Sequence, residues 1–155
     1  MNEENKNIVR VERDEILEIL PHRGTFQLID ALENMNGEDS CTGICKVSED
    51  AFWVPDHFPT HPVLPGVLIV EAIAQTAGAL VGYFRKDEIS ASVIYFLGVD
   101  KVKFRKPVFP GSEIRIDVVL IHRRGPVWKY KGIAKVDGDV VAQAEVSAMN
   151  YEPKE

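Results

Sequence analysis

The chain has 155 residues, 45% hydrophobic and 27% charged, with a formal net charge of −6. Those values describe one soluble globular domain over 1–155 and exclude the disordered, fibrous and membrane-embedded classes. An acidic chain without a recognisable binding motif is also a poor match for nucleic acid.

Residues 1–10 are polar and are expected to fray. No apolar segment follows a basic start, so no secretory signal is expected and the cytoplasm is the expected compartment. Asp14 can cap a short helix from Glu15 to Leu20, which Pro21 ends. Pro21-His22-Arg23-Gly24 reads as a turn. Alternation around Phe26, Leu28 and Asp30 suggests a first strand running to about Glu33. Asn36-Gly37 is a hairpin signal, and Ser40 to Val47 reads as the second strand. Cys41 and Cys45 fall in that strand, roughly 13 Å apart. That span is too long for a mutual disulfide, so free thiols are expected.

Phe52-Trp53-Val54 forms an apolar knot ahead of a loop, Asp56-His57-Phe58-Pro59-Thr60-His61-Pro62-Val63-Leu64-Pro65. Gly66 then opens a helix to Phe84 that is apolar on nearly every face. Such a helix must be buried on all sides. Its 19 residues could just cross a bilayer. Glu71 and Gln75 interrupt it, however, and no second such segment accompanies it, so no membrane span is expected. Glu71 and Gln75 lie four apart and share one face. Ala74, Ala77, Gly78 and Gly82 would let a sheet approach closely.

Four strands follow. Ser92 to Lys106 sets Val102 and Phe104 against Lys101, Lys103 and Arg105. Ile114, Ile116, Val118 and Leu120 alternate with Glu113, Arg115 and Asp117. Val127 to Val136 is next, and Asp137-Gly138-Asp139 turns into a last strand with Val140, Ala142, Ala144, Val146 and Ala148 on one face. An antiparallel sheet must curl around the helix, and a second subunit is expected to close what the sheet leaves open. The fold class is therefore α+β.

Charge is uneven along the chain. Residues 1–90 hold 7 Lys/Arg against 16 Asp/Glu, residues 91–135 hold 10 against 3, and residues 136–155 hold 1 against 5. A basic block in an acidic protein points to an acidic partner.

The loop and the helix carry complementary chemistry. Prolines at 59, 62 and 65 stiffen the loop around His57, a natural base. A carboxyl in an apolar helix can keep its proton and act as an acid. The N–H groups at the helix start, around Gly66 and Val67, can stabilise an oxyanion. Base, acid and oxyanion hole suit proton abstraction beside a carbonyl with loss of a leaving group. His61 and His22 lack that context and are assigned to packing, and His122 to the surface. A zinc pair from His57 and His61 has the spacing but no supporting cysteine or carboxylate pattern.

At these residues the chain resembles the 3-hydroxyacyl-[acyl-carrier-protein] dehydratases of the FabZ type. The resemblance rests on His57-Phe58-Pro59-Thr60-His61-Pro62, Pro65-Gly66-Val67-Leu68 and Glu71-Ala72-Ile73-Ala74-Gln75. Leu20-Pro21-His22-Arg23, Tyr95-Phe96, Val99 to Arg105, Pro107-Val108, Pro110-Gly111 and Val136-Asp137-Gly138 extend it over nearly the whole chain. It implies a hot-dog fold, an antiparallel sheet wrapped around the central helix, in homodimers that share active sites and assemble further as hexamers. It implies that His57 takes the C2 proton of a (3R)-3-hydroxyacyl thioester. Glu71 of the partner subunit then helps the hydroxyl depart, while the Gly66 N–H polarises the thioester carbonyl. Phe58, Val63, Gln75 and Tyr95 would line the acyl tunnel. Lys101, Lys103, Arg105, Arg123 and Arg124 would dock the acidic acyl carrier protein. No metal or organic cofactor is implied.

Two departures stand out. Asp56 replaces the usual glycine before the histidine, where it is placed to hydrogen-bond near His57. Gly24 and Thr25 replace an aromatic residue and a proline after Pro-His-Arg. Glutamate at 71 argues against the FabA-type dehydratase–isomerase branch, which usually carries aspartate. A thioesterase on the same fold and a non-catalytic acyl-binding module are the competing functions.

Overall fold

The computed structural model describes residues 10–85 and 93–151. The expected fraying of residues 1–9 and the strand start at Ser92 lie outside these residues. Arg10 is held by ion pairs to Glu12 and Glu33.

The elements run β1 (Val11–Glu12), α1 (Arg13–Ile19), a 3₁₀ turn (Gly24–Phe26), β2 (Ala31–Asn36), β3 (Ser40–Lys46), α2 (Gly66–Phe84), β4 (Val93–Phe104), β5 (Glu113–Arg124), β6 (Val127–Val136) and β7 (Asp139–Tyr151). One seven-stranded sheet has the order β1-β2-β3-β5-β6-β7-β4, and every pairing is antiparallel. Helix α2 packs on the inner face of this sheet, against β7, β3, β5 and β6. This is the hot-dog arrangement.

Two expectations about the N-terminal third change. Helix α1 begins at Arg13, so Asp14 lies in its first turn; Glu12 holds the cap position without a side-chain bond. The strand expected from Phe26 to Glu33 starts only at Ala31, because the chain first makes the 3₁₀ turn and then runs extended.

Helix α2 has the expected limits, and twelve of its residues are buried. The sheet comes close to it through glycines of its own. A Cβ on Gly132 of β6 would sit 2.3 Å from Ile73, and one on Gly43 of β3 would sit 2.4 Å from Thr76. On the helix, Gly78 admits Ile94 of β4, whereas Gly82 admits Ile19 of α1 rather than the sheet. The alternation expected in β5 is observed, with Ile114, Ile116 and Val118 fully buried. Cys41 and Cys45 are both buried free thiols.

Apolar surface is left uncovered at the two ends of α2, at Val67 and Phe84, and as a longer run on β4. This edge strand exposes Tyr95, Phe96, Leu97, Val99, Val102 and Phe104. An exposed, long, apolar edge is a template for pairing with another strand.

Candidate active site

The His57 loop is pinned at both ends by buried side chains, Trp53 and Leu64. The Trp53 carbonyl accepts the N–H groups of Asp56 (3.1 Å) and His57 (2.8 Å), and the Leu64 N–H donates to the Val108 carbonyl (2.8 Å). Within the loop, the Val63 N–H donates to the His57 carbonyl at 2.8 Å. The imidazole returns toward the same residue, with Nδ1 2.7 Å from the Val63 carbonyl oxygen. A carbonyl only accepts, so Nδ1 carries a hydrogen, and in the neutral ring the lone pair is on Nε2. Phe58 stacks on the imidazole at 4.2 Å.

The side chain of Asp56 makes no bond to His57 among the described residues; the imidazole is oriented by Val63 instead. His61 turns toward Phe109, with ring centroids 5.4 Å apart, so it does not pair with His57 around a metal.

His57 opens on a groove lined by Val63, Gly66, Val67, Phe104, Arg105 and Lys106, among others. The start of α2 faces it. Pro65 at the cap position supplies no side-chain bond, and the N–H groups of Gly66 and Val67 have no partner among the described residues. They are free donors at the positive end of a helix. Glycine at 66 has a packing reason of its own, because a Cβ there would meet the Phe104 ring at 2.8 Å.

Glu71 lies outside this groove. Its Oε2 accepts a hydrogen bond from Gln75 Nε2 at 2.7 Å and faces His22 Nε2 at 3.4 Å. Its Oε1 has no partner among the described residues. Gln75, expected on the tunnel wall, is 1% exposed and acts as a brace. Gln75 Nε2 also donates to the Phe26 carbonyl at 2.8 Å, and its Oε1 accepts the Leu28 N–H at 3.0 Å. His22, assigned to packing from sequence, is therefore a neighbour of the acid. Its Nδ1 is buried without a partner.

The remaining expected residues separate toward the two ends of β4. Phe104, Arg105 and Lys106 border the His57 groove. Tyr95 is nine residues back along β4, roughly 30 Å at the usual strand rise. It is 52% exposed and packs beside Tyr151. The basic residues divide in the same way. Lys101, Lys103 and Arg105 are exposed toward the groove end. Arg124 pairs in register with Val127, and Val127 with Met149, which is level with Tyr95. Arg123 is tied to Glu38 at 2.6 Å. The five do not form one patch on a single chain. Lys106 and Phe104 were not singled out as site residues from sequence; the motif run continuing past Arg105 was the available signal.

Chemically, one chain presents an oriented base and free backbone donors in one place, and a braced carboxyl in another. A second copy is the simplest source of the missing half for each.

A FabA-like domain model matches residues 20–145. The chain is 42% identical over 145 residues to the 3-hydroxyacyl-[acyl-carrier-protein] dehydratase FabZ of Magnetococcus marinus, covering 94% of this chain and 95% of that one. It is 44% identical to the protein of the same name from Geotalea uraniireducens, covering 87% and 93%. Among solved structures, a chain of the dehydratase heterocomplex ApeI:P from Xenorhabdus doucetiae superposes with a TM-score of 0.74 at 23% identity, over 90% of this chain and 91% of that one. The chain belongs to the FabA-like family, among the FabZ-type 3-hydroxyacyl-[acyl-carrier-protein] dehydratases.

Proposed function

We propose that this protein converts a (3R)-3-hydroxyacyl-[acyl-carrier-protein] to the trans-2-enoyl thioester and water, as a step of fatty acid synthesis. The observation that carries the mechanism is the bond from His57 Nδ1 to the Val63 carbonyl at 2.7 Å, which leaves Nε2 as the base facing the groove. Nε2 removes the C2 proton. The electron pair passes through an enolate whose oxygen is stabilised by the Gly66 N–H. Glu71 of the partner subunit gives its proton to the C3 hydroxyl, which leaves as water while the C2–C3 double bond forms. Gln75 occupies Oε2 of Glu71, so Oε1 is the oxygen that delivers the proton.

The separation of the two groups within one chain supports a homodimer with shared sites. The apolar edge of β4 is the surface that pairs, and Tyr95 then reaches the neighbouring His57 groove. Such dimers would assemble further as hexamers. Phe58 and Val63 line the entry. Arg105 and Lys106, with Lys101 and Lys103, meet the anionic carrier protein, while Arg124 docks it only if the partner brings that end of the chain alongside. A soluble cytoplasmic enzyme without metal or organic cofactor fits this chemistry.

Assay of a carrier-protein series of 3-hydroxyacyl substrates, with products identified by mass and double-bond position, tests the reaction. His57→Ala and Glu71→Gln are each expected to slow dehydration roughly 100-fold or more. Near-normal turnover in either variant removes that residue from its role. Release of free thiol without enoyl absorbance would establish a thioesterase instead. A monomeric mass by light scattering would refute the shared site.

A further inference from the structure

The segment between α1 and the 3₁₀ turn is clamped on both sides. The Leu20 N–H closes α1 on the Ile16 carbonyl at 2.8 Å. The Arg23 guanidinium folds back, and its Nη1 donates to the carbonyls of Leu20 at 2.8 Å and His22 at 2.7 Å. Beyond it, Gln75 holds the Phe26 carbonyl at 2.8 Å. His22 sits between these clamps, so backbone contacts set its imidazole in place. The ring points to α2, with Nε2 3.4 Å from Glu71 Oε2, and both side chains are mostly covered.

The other ring nitrogen decides which way the contact runs. Nδ1 is buried and has no partner among the described residues. A hydrogen on Nδ1 would leave two faults: a buried donor with nothing to receive it, and lone pairs facing each other between Nε2 and Oε2. A hydrogen on Nε2 leaves one fault, a bare Nδ1, and points at an acceptor. An imidazolium would put the unreceived donor and a buried charge in the same ring. The ring is thus a donor to Glu71, not a base that takes its proton. At 3.4 Å the contact is long, as in many unliganded sites, and has room to tighten when substrate is bound.

Oε2 then receives two N–H groups, from Gln75 Nε2 at 2.7 Å and from His22. A carboxyl has one oxygen that bears the proton and one that does not, and two donors fix Oε2 as the bare one. The proton sits on Oε1. When Oε1 gives it to the departing hydroxyl, the O–H electron pair stays on the carboxyl and the charge spreads over both oxygens. Donors hold that charge more strongly than they held the neutral acid. An interaction that strengthens along the reaction raises kcat rather than substrate affinity.

We infer that His22 is a positioning residue for the acid: through its Nε2–H it confines the proton of Glu71 to Oε1 and steadies the carboxylate that proton transfer leaves. This role rests on the assignment of Glu71 as the acid, whereas the tautomer of His22 does not.

Three substitutions in the intact protein separate a donor from a filler. His22→Phe keeps a ring without N–H groups. His22→Gln carries an amide NH₂ to the place of Nε2, and His22→Asn carries one only to the place of Nδ1. With a 3-hydroxyacyl carrier-protein substrate, His22→Phe and His22→Asn should lower kcat roughly tenfold or more, with KM within about twofold, and His22→Gln should recover kcat to within about threefold of the parent. In a Glu71→Gln background, His22→Phe should cost no more than about twofold further, because the group it serves no longer carries the proton. Nitrogen-15 spectra of histidine-labelled protein, with His22→Gln assigning the signal, should show the neutral Nε2–H tautomer at neutral pH. Parent-like kcat in His22→Phe, or a His22→Gln protein as slow as His22→Phe, overturns the inference. A hydrogen on Nδ1, or an imidazolium, overturns it equally. Slow turnover in Glu71→Gln beside normal turnover in His22→Phe fails His22 alone, whereas normal turnover in Glu71→Gln removes the acid and the role of His22 with it. The parent spectra and the comparison of His22→Gln with His22→Asn decide the question even if His22→Phe fails to fold.

Discussion

Replacing Gln75 by leucine should cost both stability and turnover, because its amide ties three otherwise separate groups together. Gln75 Oε1 accepts the Leu28 N–H at 3.0 Å, and Nε2 donates to the Phe26 carbonyl at 2.8 Å and to Glu71 Oε2 at 2.7 Å. Leucine matches the apolar surroundings but leaves these partners unpaired. Each buried backbone group left without a partner costs about 1–3 kcal/mol. Phe26 is half exposed, so its carbonyl regains water and counts for less. The expected loss is about 2–4 kcal/mol, a large part of a typical domain's stability. With a urea m-value of about 2 kcal/mol/M, the midpoint should fall by roughly 1–2 M with m unchanged. A fall below about 0.3 M would refute the brace. Gln75→Glu sharpens the test. Its new oxygen would face two acceptors, so the folded protein would retain the proton and the folded pKa would rise above the unfolded value of about 4.3. The folded state then binds more protons than the unfolded state, and stability falls as pH rises from there through the folded pKa. A variant whose stability relative to the parent does not change with pH would show that no such contact exists.

Four further outcomes follow from the packing and the charges. Gly132→Ala should destabilise the fold by about 1–3 kcal/mol, since its Cβ would collide with Ile73; denaturation curves check this. His22→Ala should lower kcat while leaving KM near its parent value, because it removes a neighbour of the acid rather than a wall of the His57 groove; steady-state kinetics separate the two. The Arg115 hydrogen bond lowers the pKa of the Glu33 carboxyl; burial opposes it, and the charges of Arg115 and Arg10 add to the lowering. Its stabilisation is present above the unfolded value of about 4.3 and is lost as pH falls through the lowered one, so Glu33→Gln should flatten the acid limb of melting temperature against pH. Burial pushes the Cys41 thiol up and the Cys45 thiol up to about 12. Both should resist alkylation at pH 8 in the folded protein and react in urea, as mass spectrometry would show.

Where a residue's role depends on near neighbours, the sequence was sufficient. Pro65-Gly66 marks the start of α2 and an unbroken apolar run carries it to Phe84, as observed. Asp137 and Gly138 both take positive φ in the last hairpin, as that dipeptide suggests. The His57 loop follows from its prolines. Contacts between distant segments were not legible. His22 resembled a packing residue because its carboxylate neighbour is 49 positions away. Gln75 sat correctly on the Glu71 face, yet its burial depends on a turn at Phe26 that carries no helical or strand period. Arg123 reads as a free charge until the fold brings Glu38 beside it. The two-residue β1 is too short to leave any periodic trace.

The position of α2 in the chain also has a consequence for biosynthesis. This segment is apolar enough to enter a bilayer, and in the finished protein 67% of its most apolar window is buried. Three of the strands that shelter it, β5, β6 and β7, follow it in the chain. During synthesis the helix therefore leaves the ribosome well before its cover exists, and a nascent chain halted before Asp139 lacks all of β7. Translation pausing in that interval would leave a greasy segment open to chaperones, to other nascent chains and to lipid, so the speed of elongation across the C-terminal half bears directly on how much of the protein reaches its native state.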